Sequence, residues 1–551
     1  MKNKGRSNNN FYLYMAILPL ILFSLFFILP LFATFSKAFD MTLLKEVFTS
    51  RYTYQILSFT VKEATLSAIV SILIAFPGSF YFANYKSKGK KLLLSLSTLC
   101  FVLPSILVVL GFVIFYGNSG VINTMLKKLL NEEDAVVKIL YSFKAIILAH
   151  AFLNVPVALT LITDYYSALS KTHEKAAATL GAKPLHIFFT ITLPRLLPVI
   201  LSAFILIFLF CFSSFSIILV LGGGPEFTTL EVEIYRSAKL SLKIEKAAAY
   251  AILSLLCNSF ILLIITLLNK KYSNKEEIGK REVKKLTNKV AKTLFFLYFI
   301  LLLIFILGPL VSIVYRSFIS TSKRFGTGFS TQQYQMLLGK VRAIGGMGPA
   351  VDAINNSLLI GILTAILSTG CALSITLLIA NKKKGLFDII FTLPLATSSV
   401  ITGLGFLIIK SFIHTKSDFI GYVLVIIAHV IITIPFAIKT ILPVRLNMND
   451  NFLKSAYTMG ASVPKTVFTL ELPALIPSIT KAFIFTFALS MGEVNATLLL
   501  AEGKIITLPV LLYRLIGSYN FQGACALGTI LITVTFIIFI FALLFDRKES
   551  T

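Results

Sequence analysis

The chain has 551 residues, of which 57% are hydrophobic and 14% charged. A soluble domain of this size has no use for so much apolar surface, whereas helices facing lipid do. The formal net charge of +27 lies in short segments between apolar runs, so there is no basic soluble domain and no nucleic acid among the expected partners.

The apolar runs are about 20 residues or longer, the length of a helix crossing a hydrocarbon core. Alternating runs of about 9–11 residues, the signature of a membrane barrel, do not occur. The reading is an all-α polytopic membrane protein with a lipid bilayer as its solvent. In chain order, spans are predicted near 11–36, 61–84, 92–116, 140–165, 194–221 and 247–269, then near 293–317, 354–380, 386–411, 419–443, 473–500 and 524–545. The first run follows Lys2, Lys4 and Arg6 but is too long for a signal peptide, and no small-residue cleavage site follows it. The five cysteines, Cys100, Cys211, Cys257, Cys371 and Cys525, lie in or beside apolar runs without a CxxC pair, as buried hydrophobes rather than a metal or disulfide set.

Lys and Arg cluster in the N-terminal tail, after span two (Lys86, Lys88, Lys90, Lys91), after span six, after span eight (Lys382, Lys383, Lys384) and in the C-terminal tail (Arg547, Lys548). With twelve spans these segments share one side, and the positive-inside rule makes that side cytoplasmic. The protein is therefore expected in the cytoplasmic (inner) membrane with both termini in the cytoplasm. Residues 270–292 are polar and poor in aromatics, a linker rather than a domain, so the chain divides into halves at 1–269 and 293–551.

The halves repeat. His150 and His429, Pro156 and Pro435, Gly181 and Gly460, and Pro194 and Pro473 are all separated by one and the same interval. Six spans per half return the chain to its starting side, so the expected fold is two parallel six-helix repeats related by an axis along the membrane normal.

The strongest signal lies between spans four and five, within 171–194, and again between ten and eleven, within 451–473. EKAAATLGAKPLHIFFTITLP runs from Glu174 to Pro194, and LKSAYTMGASVPKTVFTLELP from Leu453 to Pro473. Ala176, Ala177 and Ala178, like Ala456, favour helix with a slim surface. Gly181 and Gly460 suit a left-handed helix end. Pro184 and Pro464 suit the first turn of a second helix, with Ser462 placed to cap it. Two short helices at an angle are predicted, with Leu193-Pro194 and Leu472-Pro473 marking entry into the next span.

These segments resemble the EAA loop of binding-protein-dependent ABC importer permeases. That resemblance implies a type I permease fold, with each loop seated in a cleft of a cytoplasmic ATPase subunit. It further implies two copies of that ATPase, which bind ATP and Mg, and an extracytoplasmic solute-binding protein. This chain would carry no cofactor and no ATP site and would not itself be an enzyme. The motif's glutamate position holds Lys175 and Lys454, with Glu174 one residue early, which puts the usual ionic contact in question. The stretches LGGGPEFTTLEVEIYRSA (221–238) and TLPVLLYRLIGSY (507–519) resemble the thiamine permease type, and SMGEVNATLLL (490–500) is similar to ferric-iron and sulfate permeases as much. Thiamine or its phosphate is the expected cargo, with ferric iron or a small anion as the alternative.

Three polar residues inside predicted spans are singled out. His150 and His429 are read as helix-packing hydrogen bonders ahead of substrate contacts. Glu493 is open to three roles: gate, substrate contact or helix cap. A secondary transporter would need several deep carboxylates, and both it and a channel would leave the two loops without a purpose. No HExxH, nucleophile elbow or GxxxxGK[ST] supports a membrane enzyme.

Overall fold

A computed structural model describes residues 2–549 except 87–88, 91–92, 95–102, 223, 273–280, 321–327, 340–349, 383–390, 392, 414–416 and 502–504. Cys100, Lys88, Lys91, Lys383, Lys384 and the middle of the linker thus lie outside the described residues. The twelve principal helices are α1 (Lys2–Lys37), α2 (Arg51–Asn84), α3 (Ser105–Tyr116), α4 (Phe143–Ala168), α5 (Leu193–Phe212), α6 (Ile244–Tyr272), α7 (Lys289–Ser317), α8 (Val351–Lys382), α9 (Ser399–Ile413), α10 (Asp418–Asn447), α11 (Leu472–Gly492) and α12 (Phe521–Glu549). Eleven helical stretches among the described residues are long and apolar enough to cross a membrane, and α9 is a shorter apolar helix. The protein is a multi-pass helical membrane protein. The four described cysteines form no disulfide.

Local chemistry sets the helix starts. Ser50 caps α2 by accepting from the Thr53 N–H at 3.1 Å, and Ser142 caps α4 by accepting from the Ala145 N–H at 3.4 Å, each satisfying an otherwise orphaned donor. The cap at Ser50 starts α2 well ahead of the apolar run read from the sequence. Two predicted spans are interrupted. The fifth stops at Phe212 and resumes as a short helix, Ser216–Leu221, and the eleventh stops at Gly492 and resumes as Asn495–Leu500. The two resumed helices keep the interval of the sequence repeat.

The chain forms two compact units, and they do not follow the two sequence halves. One comprises residues 1–47, 233–255 and 320–551, and the other residues 48–232 and 256–319. The first span of each half is therefore housed with the body of the other half. In the unit holding α1, that helix packs on α8 and α9, with Gly405 of α9 against Pro30, and Phe23 meets the ring of Phe391, between those two helices, edge-on at 4.9 Å. In the unit holding α7, that helix packs on α2 and α3: Tyr298 donates to the Ile74 carbonyl at 2.8 Å, and Gly111 lies against Pro309. Pro30 and Pro309 are themselves related by the repeat interval, so the repeat includes the exchanged spans. Hydropathy marks each span as apolar but carries no information about which bundle it joins.

Candidate functional site

Both loops between spans are built on one frame. In the first, Thr172–Thr179 is helical, and the Gly181 N–H bonds the Ala178 carbonyl while the Ala182 N–H bonds the Ala177 carbonyl, each at 3.1 Å. In the second, Asp450–Thr458 is helical, and Gly460 and Ala461 make the same pair of bonds to Tyr457 and Ala456, at 3.1 and 3.0 Å. This is the Schellman pattern, which requires a left-handed residue just past the helix. Gly181 and Gly460 supply it with φ of +86° and +87°.

After the bend, Pro184 is the first residue of Pro184–Ile187 and Pro464 the second of Val463–Thr466. Ser462 stands at the cap position, but its side chain makes no cap hydrogen bond. The second helix does not stop before the span. It continues through a π-helical turn, Phe188–Thr192 or Val467–Glu471, directly into α5 or α11. The reason is Pro194 and Pro473. A proline has no N–H for the regular ladder and crowds the preceding turn, and a wider turn accommodates it without breaking the helix. The second of the two predicted short helices is thus the leading end of the span itself. Leu193 and Leu472 are the first residues of those spans.

Large apolar side chains project from both frames at matched positions. Leu180 and Met459 are each 88% exposed, and Phe189 and Phe468 are 61% and 60% exposed. Both pairs occupy equivalent positions of the repeat. Sequence patterning passes over them because an apolar residue beside a membrane span reads as more span.

Each loop is also pinned from behind by a carboxylate and a buried arginine. In the first, both Glu174 oxygens meet one guanidinium nitrogen of Arg281 at 3.0 and 2.8 Å, and Glu174 also accepts from Thr192 at 3.0 Å. Arg281 is held in turn by Asn84 at 3.0 Å and lies over the Tyr166 ring at 4.2 Å. Lys175, at the motif's glutamate position, pairs with Glu282 on the surface at 2.9 Å, and this ammonium holds the Glu282 carboxyl below its ordinary range. In the second loop Glu471 pairs with Arg445 at 2.9 Å and accepts from the Tyr12 hydroxyl at 3.0 Å. Each half thus ties its loop with a carboxylate–arginine pair, from Glu174 in one and Glu471 in the other, at positions that the repeat interval does not relate. Arg281, Arg445, Glu471 and Tyr12 carry no sequence signal, since their partners lie 26 to 459 residues away.

The polar residues inside the spans lie in two separate places. His429 is sandwiched between the hydroxyls of Ser490 and Thr497, both at 2.8 Å, and so ties α10 to α11 and to the short helix beyond it. Glu493, just before the cap residue Val494, accepts from the N–H groups of Asn495 and Ala496 at 2.8 and 3.0 Å and so satisfies the first donors of the short helix. His150 instead faces Glu63 at 2.5 Å, a fully buried carboxylate at the edge of predicted span two that no motif marks.

With this geometry in place, comparison with known proteins is informative. The family model described as "Binding-protein-dependent transport system inner membrane component" matches twice, at residues 69–274 and 357–550. The chain is 27% identical over 499 residues to the thiamine transport system permease protein ThiP of Brucella abortus (strain 2308), covering 87% of this chain and 85% of that protein. It is 26% identical over 504 residues to the protein of the same description from Haemophilus influenzae, covering 90% and 89%. A spermidine/putrescine transport system permease protein PotC homolog from Mycoplasma pneumoniae is 29% identical over 250 residues, 43% of this chain and 85% of that protein. Two matches that together span most of the chain, one on each half, fit the doubled loop frame, and the chain belongs to the family of binding-protein-dependent transport system inner membrane components.

Proposed function

We propose that this chain is the fused two-half permease of an ATP-driven importer and that its cargo is thiamine or a thiamine phosphate. The observation that carries the ATPase-coupling part is the matched pair of exposed apolar residues, Leu180 with Phe189 and Met459 with Phe468, on two frames of the same construction. Exposed apolar groups at equivalent places in a repeat suit two copies of one partner, each with an apolar cleft. The partner is a cytoplasmic ATPase that binds ATP and Mg, while this chain forms the path. The cargo follows from the relatives named for thiamine transport along most of their length.

In this reading a solute-binding protein delivers cargo on the outer side, and both termini and the linker 270–292 face the cytoplasm of a cell bounded by this inner membrane. Reporter fusions at Lys285 and Phe227 then give opposite sides. The deciding experiment is uptake into proteoliposomes holding the permease, its ATPase and internal ATP, with the binding protein outside. Labelled thiamine should accumulate only with ATP present. Accumulation of ferric iron instead, with tight iron binding by the binding protein in calorimetry, would replace the cargo but keep the importer. Thiamine uptake that ignores ATP would overturn the importer.

A further inference from the structure

Within the unit formed by residues 48–232 and 256–319, three helices bring unlike side chains to one buried point. Glu63 comes from α2, His150 from α4 and Cys211 from α5, and their ligand atoms all lie within 4.8 Å of one another. All three residues are buried. Two of the polar atoms there, Glu63 Oε2 and His150 Nε2, have no hydrogen-bond partner among the described residues. Unsatisfied polar atoms in a membrane interior are expensive and need an explanation.

The second half shows what mere packing would look like. Its histidine at the equivalent position, His429, has both ring nitrogens bonded to hydroxyls, Ser490 and Thr497. By the same repeat interval, Cys211 is the counterpart of Ser490 and Ile218 that of Thr497. At those two positions the first half carries a thiol and an alkyl group in place of hydroxyls; it keeps the Ser67 hydroxyl 3.5 Å from His150 Nδ1 and sets the Glu63 carboxylate against the ring. Seating a helix-packing histidine needs neither change.

We propose that Glu63, His150 and Cys211 bind one thiophilic divalent cation of the zinc class inside the first half. Imidazole nitrogen, thiolate sulfur and carboxylate oxygen are the three donor types zinc accepts, at about 2.0–2.3 Å. Three protein donors leave a fourth position for a neutral oxygen ligand. Binding displaces the Cys211 thiol proton to solvent, and a thiolate plus a carboxylate neutralise the dication. The loaded cluster carries no net charge in a region where a charge is costly. Supporting groups are in place around the donors: Ser67 donates to Glu63 at 2.7 Å, and the Asn154 amide donates to the Cys211 sulfur at 3.4 Å. The ion would tie α2, α4 and α5 together.

The test uses the full chain purified without a metal-affinity step and titrated with cobalt(II) as a spectroscopic stand-in. The intact protein should take up one equivalent, show a thiolate-to-cobalt charge-transfer band and melt at a higher temperature when loaded. Cys211→Ser should abolish the band. Glu63→Gln, which keeps the shape and the Ser67 contact, should weaken binding at least about tenfold while the protein stays monodisperse. No band in the intact chain, a band that persists in Cys211→Ser, or equal affinity in Glu63→Gln would each overturn the proposal.

Discussion

Gly181 and Gly460 separate two effects that a substitution usually mixes. A Cβ added to either would meet nothing within 4 Å, so space is not the obstacle. What a side chain would oppose is the left-handed backbone, a penalty of about 1 kcal/mol or more, larger for a β-branched residue and smaller for Asn. Gly181→Val or Gly460→Val should therefore abolish uptake and loosen ATPase co-purification with insertion unchanged, while Gly181→Asn keeps most of both. Equal loss with Asn and Val would point to a clash with a partner instead of backbone strain. Arg281 makes a second test. Arg281→Ala leaves the Glu174 carboxylate without its cation, at a local cost of roughly 2–3 kcal/mol, below the value for a fully sealed pair because Glu174 keeps some water contact. Limited proteolysis within 170–192 should accelerate, and Arg281→Lys should not restore protection, since a single ammonium cannot hold Asn84, Tyr166 and Glu174 together.

At the scale of elements, the breaks in α5 and α11 matter more than the helices around them. Asn495–Leu500 begins on the Glu493 carboxylate, so Glu493→Ala should remove about 1 kcal/mol of helix-start stabilisation. Glu493→Asp, which keeps a carboxylate one methylene shorter, should retain more transport than Glu493→Ala. Equal transport in both would argue for a role other than capping. Much at this scale was legible in the sequence: the twelve apolar runs, the glycine bends and Pro184 at a helix start all follow from local chemistry. The breaks were not. Ser213-Ser214 and Glu493 sit inside windows whose mean hydropathy stays high, and a window average cannot register two or three residues of altered backbone. The π-turns escaped for a related reason, because a Leu-Pro pair marks equally well the start of a helix and a widened turn within one. Glu63 was lost because its importance lies in His150, on a different span.

For the whole molecule, the exchange of first spans decides what can fold alone. Residues up to 272 include α1 but not its neighbours α8 and α9, and residues from 281 include α7 but not α2 and α3. Cutting the chain within 273–280 and expressing the pieces together should give a complex that co-purifies. Either piece alone should be degraded or aggregate. A stable, monodisperse single piece would show the exchange to be dispensable. No periodicity in the sequence could have foretold this, since a constant repeat interval is equally consistent with two self-contained bundles. The arrangement also imposes a timetable on the ribosome. From the end of α1 at Lys37 to the start of α8 at Val351 the ribosome adds about 300 residues, which at about 5–20 residues per second takes roughly 15–60 s. Helix α1 is thus an orphan through that interval, its Pro30 face unmatched until α9 arrives, and a cell making this protein must shelter that helix or risk losing the chain in the meantime.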